Sequence, residues 1–369
     1  MAAQMTQDQT LLRDAAERYL RDSYNFNERR ERIAGGTYSD PRQWQAFSDM
    51  GWLALPIEED FGGLGFGARE MAILAELCGQ FLVTEPLIEA MAVSHAILGN
   101  SAQKELLLAQ VGQGTMIPVA AIDEAGGAAR LSPTTQLTED SGQWRLTGSK
   151  QWISAGASAT HLAVLANSET GLAWVLVPVD ANGVTRNIYP THDGRGGASV
   201  EFDVSLDDAR VIATGEIAQD ALTAYRELAM VLSSAETLGA TQAALDTTVD
   251  YTKQRIQFGQ PLASFQALQH RMSDMLIQTE LTRSLVYAAC DAADAGQADC
   301  GRFARAAKVK AATVGRKVSQ EAIQLHGGIA TTDEYIVGHF FKRITALESW
   351  VCSKGEALKE FMALPVAQH

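Results

Sequence analysis

Apolar residues recur along this chain at two different periods, and the switches between them divide it into three stretches. In TLLRDAAERYLRD, Leu11, Leu12, Ala15, Ala16, Tyr19 and Leu20 return at helical spacing, which predicts an amphipathic helix. The Ala/Leu-rich runs Met71–Gln80 and Pro86–Leu98 continue that texture and break at the Gly62–Gly65 loop and at Pro86. Around Met116 the pattern shortens. Ile117–Ile122, Thr135–Leu137, Trp144–Thr147, His161–Ala166 and Ala173–Val177 are brief β-branched or aromatic runs parted by Gly, Asp, Asn and Ser. They predict a compact all-β unit of at most about ten strands, ending near Ile212. Long helices return from Ala221: Ala221–Gln254, Ser264–Ala295, Gly301–His326 and Val337–Leu364, with connections short enough for an antiparallel bundle. The expectation is an α+β chain with a helical domain over residues 1–115, a β domain over 116–214 and a C-terminal helical bundle over 215–369.

Composition narrows the partners. A length of 369 residues exceeds what one core usually supports, so two or three packed units are expected. The excess of 44 acidic over 30 basic residues gives a net charge of −14, which argues against a nucleic-acid partner. A local basic patch can still hold phosphates. Cys78, Cys290, Cys300 and Cys352 are scattered with no close-set pair, which reads as reduced thiols in a cytoplasmic protein. None of the seven histidines stands in an HxxxH or CxxC frame, so no metal site is expected. The N-terminus reads as neither signal nor transit peptide, and no apolar run reaches about 18 residues, so no membrane span is expected.

Two segments carry chemistry that a plain bundle does not need. RIQFGQPLASF, Arg255–Phe265, holds a fixed-charge arginine whose planar fork matches phosphate oxygens, an aromatic face at Phe258 and a turn glycine at Gly259. QLHGGI, Gln324–Ile329, offers an amide and two glycines that let another molecule approach the backbone. Together they suit a bulky anionic cofactor. Either alone is equally a helix–loop–helix with a glycine cap, and His326 beside them equally a loop histidine bonding backbone.

Five segments, in order, resemble the acyl-CoA dehydrogenase family: GWLALPIEEDFGGLGFGARE (Gly51–Glu70), LTGSKQWISAGASATHLAVLA (Leu146–Ala166), GRGGASVEFDVSLDDARVI (Gly194–Ile212), and the two segments above with their extensions. The resemblance implies a helical domain, a middle β-barrel and a C-terminal four-helix bundle. It implies FAD between the β domain and the bundle, with its adenosine end reaching a neighbouring subunit of a tetramer. It implies α,β-desaturation of an acyl-CoA thioester, with a glutamate taking the α-proton, the flavin taking a hydride, and an electron-transferring flavoprotein as acceptor. Trp152 and Ser154 in KQWISAG match the pair that packs on the flavin ring and bonds its polar edge; the alternative is a strand tryptophan in an ordinary core. Arg255, Gln257, Phe258, Gln266, Gln324, Gly327 and Gly328 match the positions at the adenosine–pyrophosphate end.

Two departures stand out. The family's flavin loop reads Thr-Glu-Pro-x-Ala-Gly-Ser-Asp, whereas Ala121–Arg130 here is AIDEAGGAAR, with Ile122 or Asp123 in place of the threonine. The family's catalytic glutamate falls on Val351 by ungapped counting from Tyr335, and on Ala229 when counted back from Arg255. Glu348 and Glu236 are the candidate bases, with Glu227 nearby as a solvated helix charge. Glu236 lies in the apolar run VLSSAETLG, where burial would favour the protonated carboxyl; the alternative is a buried carboxylate bonded to backbone or to an arginine. The resemblance is to the partner-type subunit of heteromeric dehydrogenases acting on bulky or steroid side-chain acyl-CoA. The alternatives are a self-sufficient homotetramer using Glu236 or Glu348, and a flavin-free scaffold of the same fold.

Overall fold

The computed structural model describes residues 5–126, 132–140, 142–207 and 210–365. Helices come first: α1 (Gln7–Ser23), α2 (Phe26–Ala34), α3 (Pro41–Asp49), α4 (Ala68–Phe81), α5 (Leu87–Ala96) and α6 (Lys104–Gly112). Strands follow: β1 (Pro118–Ala121), β2 (Gln136–Asp140), β3 (Gln143–Ile153), β4 (His161–Ser168), β5 (Gly171–Pro178), β6 (Val184–Tyr189), β7 (Gly197–Leu206) and β8 (Val211–Thr214). Then come α7 (Gly215–Gln254), the two-residue strands β9 (Ile256–Gln257) and β10 (Gln260–Pro261), α8 (Gln266–Asp294), α9 (Cys300–His326), α10 (Ile336–Ser349) and α11 (Lys354–Ala363). The chain forms two compact units. One comprises Met1–Glu31, Gly67–Val83 and Met230–His369; the other comprises Arg32–Phe66 and Thr84–Ala229.

The second unit is built on one eight-stranded sheet in the order β6-β7-β3-β2-β4-β5-β8, with β1 paired to β4. Leu137, Leu146, Leu162, Val164, Val175, Val177, Val200 and Phe202 point to one side and form its core. Alternation is sharpest in β7, where Ser199, Glu201, Asp203 and Ser205 turn outward between buried neighbours. In β4 and β5 both faces are buried, so the sequence reads as a continuous apolar run there. Helix α5 is buried except at His95, and its buried residues include the acid Glu89.

The first unit is a helical bundle whose closest contact is a glycine crossing. A Cβ on Gly79 of α4 would lie 1.9 Å from the Glu236 carbonyl oxygen, and one on Gly239 of α7 would lie 1.7 Å from the Glu76 carbonyl oxygen. The two backbones touch, which only glycine permits. Glu76 and Glu236 are thereby carried into the interior, and each meets an arginine. Arg283 pairs with Glu76, whose other oxygen accepts from the Tyr287 hydroxyl at 2.8 Å. Arg343 pairs with Glu236 at 2.5 Å, with both side chains fully buried.

The sequence expected one helix over Val337–Leu364; the structure has two. The buried Lys308 ammonium donates to the carbonyls of Leu347 (2.6 Å) and Trp350 (2.9 Å), satisfying the end of α10. Ser353 and Glu356 then form a capping box that starts α11. All four cysteines are free thiols. Among the described residues no helix is long and apolar enough to cross a membrane.

Gly239→Ala is expected to destabilise the protein by about 1–3 kcal/mol or more, because the methyl meets backbone that cannot yield. Gly99→Ala, where a Cβ meets nothing within 4 Å, is the control and should leave the thermal midpoint in place. Circular-dichroism melts of the two variants check this.

Candidate functional site

At one end of the first unit, α7 gives way to a hairpin of β9 and β10 that turns on Phe258 and Gly259, with φ +55° and +80°. Two successive left-handed residues make a type I′ turn, which favours glycine and strains a phenylalanine. The strain holds the Phe258 ring out in solvent, 90% exposed and edge-on to Phe265 at 6.1 Å. Arg255 caps this end of α7. It is exposed, and among the described residues its guanidinium meets no carboxylate. Gln257 is also exposed, its amide donating to the Ile256 carbonyl at 2.8 Å. Gln266 is exposed in the first turn of α8.

The glycine motif reaches the same end through an aromatic stack. Tyr251, one turn before Arg255, lies 4.3 Å from the His326 ring at 28°, and its hydroxyl donates to the His326 carbonyl at 3.2 Å. Tyr335 lies 5.2 Å from the same imidazole. This ties the last turn of α9 to the last turn of α7, so Arg255 and Gly327–Gly328, far apart in sequence, share one end of the bundle. His326 is buried at the helix end rather than in a loop. Its Nδ1 bonds the Ala322 carbonyl at 2.8 Å, and burial pushes its pKa down. Gln324 is exposed on the same turn. A Cβ on Gly327 or Gly328 would meet nothing within 4 Å. Gly327 needs its φ of +67°, but no packing among the described residues requires Gly328 to be bare.

In the second unit, β3 is irregular against β7 between Lys150 and Ile153. There Trp152 takes φ +57° and swings its ring outward, 71% exposed, with Tyr189 edge-on at 6.2 Å. It is not a core tryptophan. Ser154 is half-buried, and its hydroxyl donates to Glu89 Oε1 at 3.1 Å. Arg195 Nη1 donates to the same oxygen at 2.7 Å.

Of the AIDEAGGAAR stretch, Gly127–Arg130 lies outside the described residues. Its first half is fastened to β3. Gln151 N–H donates to the Asp123 carbonyl at 2.8 Å, and the Lys150 ammonium donates to the Ile122 carbonyl (3.1 Å) and to Glu124 Oε1 (2.6 Å). Glu124 also accepts from the backbone and hydroxyls of Thr134 and Thr135. Burial alone would raise the Glu124 pKa. The Lys150 and threonine donors outweigh it and bring the value from 4.5 to about 2.

The candidate bases are engaged elsewhere. Glu236 Oε1 is held by Arg343, which also donates to the Val83 carbonyl at 2.8 Å; this is the arginine-paired alternative weighed from sequence. Glu348 pairs with Arg316 at the surface. Val351 has φ +70°, and Ala229 is buried; Glu227 is half-buried on α7. Sequence reasoning missed Glu89, Arg195, Glu124, Lys150 and Tyr251. Glu89 had a signal, being the one acid in the apolar run LIEAMAVSHA.

Profiles of one family match the chain in order: acyl-CoA dehydrogenase N-terminal domain over residues 6–115, middle domain over 120–208 and C-terminal domain over 218–351. The chain belongs to the acyl-CoA dehydrogenase family, oxidoreductases acting on CH–CH donors, and has its α+β fold of helical domain, middle β-barrel and helical bundle. Among similar proteins, "Probable acyl-CoA dehydrogenase FadE25" of Mycobacterium tuberculosis is 29% identical over 312 residues, 80% of each chain. The solved steroid ACAD Tcur3481-Tcur3483, a variant, is 27% identical over 97% of each chain with TM-score 0.89. The ChsE4-ChsE5 complex of M. tuberculosis, 23% identical over all of both chains with TM-score 0.90, shares the fold.

The Glu124 cluster makes acid stability testable. Its folded pKa lies below its unfolded value, so the stabilisation is complete above pH 4.5 and is lost as pH falls toward 2. Glu124→Gln is expected to flatten the fall in unfolding free energy over that window by on the order of 2 kcal/mol. Urea titrations at pH 5, 4 and 3 on both proteins measure it.

Proposed function

We propose that this chain is one subunit of a heteromeric, FAD-dependent acyl-CoA dehydrogenase that desaturates a bulky or steroid side-chain acyl-CoA, with an electron-transferring flavoprotein as acceptor. One contrast carries the reading. Arg255, Phe258, Gln324 and Trp152, suited to the cofactor, are exposed, while Glu236 and Glu348, suited to be the base, are each paired with an arginine.

The residues fit FAD. Arg255 offers an exposed fork, unmatched by any carboxylate among the described residues, to pyrophosphate oxygens. Gln257, Gln266 and Gln324 offer exposed amides near the adenosine end, and Phe258 an exposed aromatic face. Gly327 and Gly328 leave open space at the backbone. Trp152 presents a free ring face as a wall for the isoalloxazine, and Ser154 supplies a hydroxyl at its edge. When bound, FAD supplies the acceptor for the substrate's β-hydride. Among the described residues, the candidate bases offer no ready proton acceptor. Glu236 would have to abandon a fully buried guanidinium, at a cost of several kcal/mol, and Val351 has no basic atom. A partner subunit that supplies a glutamate completes the enzyme. The solved steroid ACAD Tcur3481-Tcur3483, similar to this chain, supports this version.

The test is the visible spectrum of the purified chain. Colour only on co-expression with a second dehydrogenase subunit is expected. A yellow chain that bleaches with acyl-CoA by itself would replace this reading with the self-sufficient homotetramer, and one colourless in every combination would leave the scaffold. Arg255→Ala should weaken FAD about 10- to 100-fold, the loss of a charge-assisted contact worth about 1.5–3 kcal/mol; unchanged flavin content refutes its role. In an active isolated chain, Glu348→Gln would separate the two bases cleanly, since a surface pair contributes only about 0–1 kcal/mol to folding.

A further inference from the structure

We propose that Glu89, held by Arg195, is a positioning residue that accepts the hydrogen bond of the Ser154 hydroxyl and so presents the Ser154 oxygen to bound FAD as a hydrogen-bond acceptor. The inference rests on the reading that Ser154 lies at the flavin edge.

A serine hydroxyl has one proton and two lone pairs, and a carboxylate only accepts. With Ser154 Oγ 3.1 Å from Glu89 Oε1, the proton must lie on the Glu89 side. The lone pairs are then the part of the hydroxyl available to a ligand. Glu89 cannot easily turn away. It is fully buried, and Arg195, itself 3% exposed, grips the same Oε1 at 2.7 Å. Arg195 is aimed by its own turn. Thr191 Oγ1 donates to Asp193 Oδ1 at 2.6 Å and accepts from the Gly196 N–H at 3.0 Å. Gly196, at φ +71°, packs so close to Tyr38 that a Cβ there would meet the ring at 2.4 Å.

The other side of the contact is equally fixed. Ser154 lies between Trp152 (φ +57°) and Ala155 (φ +52°), two left-handed residues that are not glycine. A turn so strained persists only where its surroundings determine it, and such turns gather at ligand sites. Glu89 Oε2 is buried with no hydrogen-bond partner among the described residues. A fold that needed only a serine acceptor here would do better with a neutral side chain. The charge makes sense as a device that sets which way the Ser154 proton points.

The consequence is selectivity between two states of one ligand. Reduced FAD carries an additional N–H at the ring edge that receives the hydride; oxidised FAD has a bare nitrogen there. An acceptor favours the N–H form and raises the two-electron potential. Glu89→Gln replaces a pure acceptor with an amide that can donate to Ser154, which frees the hydroxyl proton to point outward.

Reductive titration of the FAD-loaded enzyme, with its partner subunit if it needs one, tests this. Glu89→Gln and Ser154→Ala should each lower the preference for reduced FAD about tenfold, a fall of about 30 mV for a two-electron couple. The double variant should fall no further than Ser154→Ala alone, because the two residues act as a unit. Ser154→Thr, which keeps the hydroxyl, should hold the wild-type potential. An unchanged potential in Glu89→Gln, or effects that simply add, overturns the proposal. If Glu89→Gln does not fold, the serine pair decides: loss in Ser154→Thr, or none in Ser154→Ala, overturns it equally. Wild-type protein that holds no FAD in any combination removes the functional reading itself, and this inference with it.

Discussion

The backbone contact between α4 and α7 at Gly79 and Gly239 governs the first unit. Helices that approach this closely must have no side chain at the crossing, and the residues one turn away are then driven inward whatever their chemistry. Here those residues are Glu76 and Glu236. Two carboxylates in a bundle interior would unfold it if left alone. Their partners come from distant helices, Arg283 on α8 and Arg343 on α10, so meeting the charges also fixes the register of both against the crossing. Swapping such a pair for packed hydrophobes is often neutral, whereas removing one partner costs about 3–5 kcal/mol. The arrangement therefore specifies the packing more than it strengthens it.

From that crossing α7 runs on to Tyr251 and Arg255, and the Tyr251–His326 stack repeats the same logic with rings instead of charges. A short contact at the helix ends brings two distant motifs to one end of the bundle. Left-handed residues then do the local shaping. Phe258 and Trp152 are both large aromatics at positive φ and both are mostly exposed, against ordinary preference for backbone and burial alike. Agreement of two unfavourable features at the same residues is what separates a presented side chain from a stray surface aromatic.

Much of this was legible in the sequence, for identifiable reasons. Helical and strand stretches show because periodicity is a local property, and β1 to β5 fall where the short β-branched runs put them, whereas β6, β7 and β8 had no run assigned. The break at Trp350–Ser353 did not show. It depends on Lys308, some forty residues away, reaching two carbonyls at the end of α10, although the Ser353–Glu356 capping pattern was in plain sight. The sequence could weigh Glu236 as base or as half of an ion pair but could not choose, since Arg343 lies 107 positions further on. Arg255 and Gly328 stood out in the sequence because nothing in a bundle calls for them, and among the described residues a Cβ on Gly328 would meet nothing within 4 Å. Glu89 was passed over inside a run that otherwise reads as plain core.

The distribution of charge among these residues bears on how catalytic labour is divided. A base must keep a lone pair directed at substrate, in a setting that lets it gain and lose a proton during turnover. A carboxylate locked to a guanidinium in a dry interior meets neither need, because protonating it strands the buried cation. Glu76, Glu89 and Glu236 are all of that kind. An arginine meant for a phosphate has the opposite requirement: its fork must stay unmatched until the phosphate arrives, and among the described residues Arg255 at the end of α7 meets no carboxylate. Under the proposed function, a polypeptide with these acids committed and this arginine exposed would hold a cofactor, and proton abstraction would fall to a residue supplied from outside it.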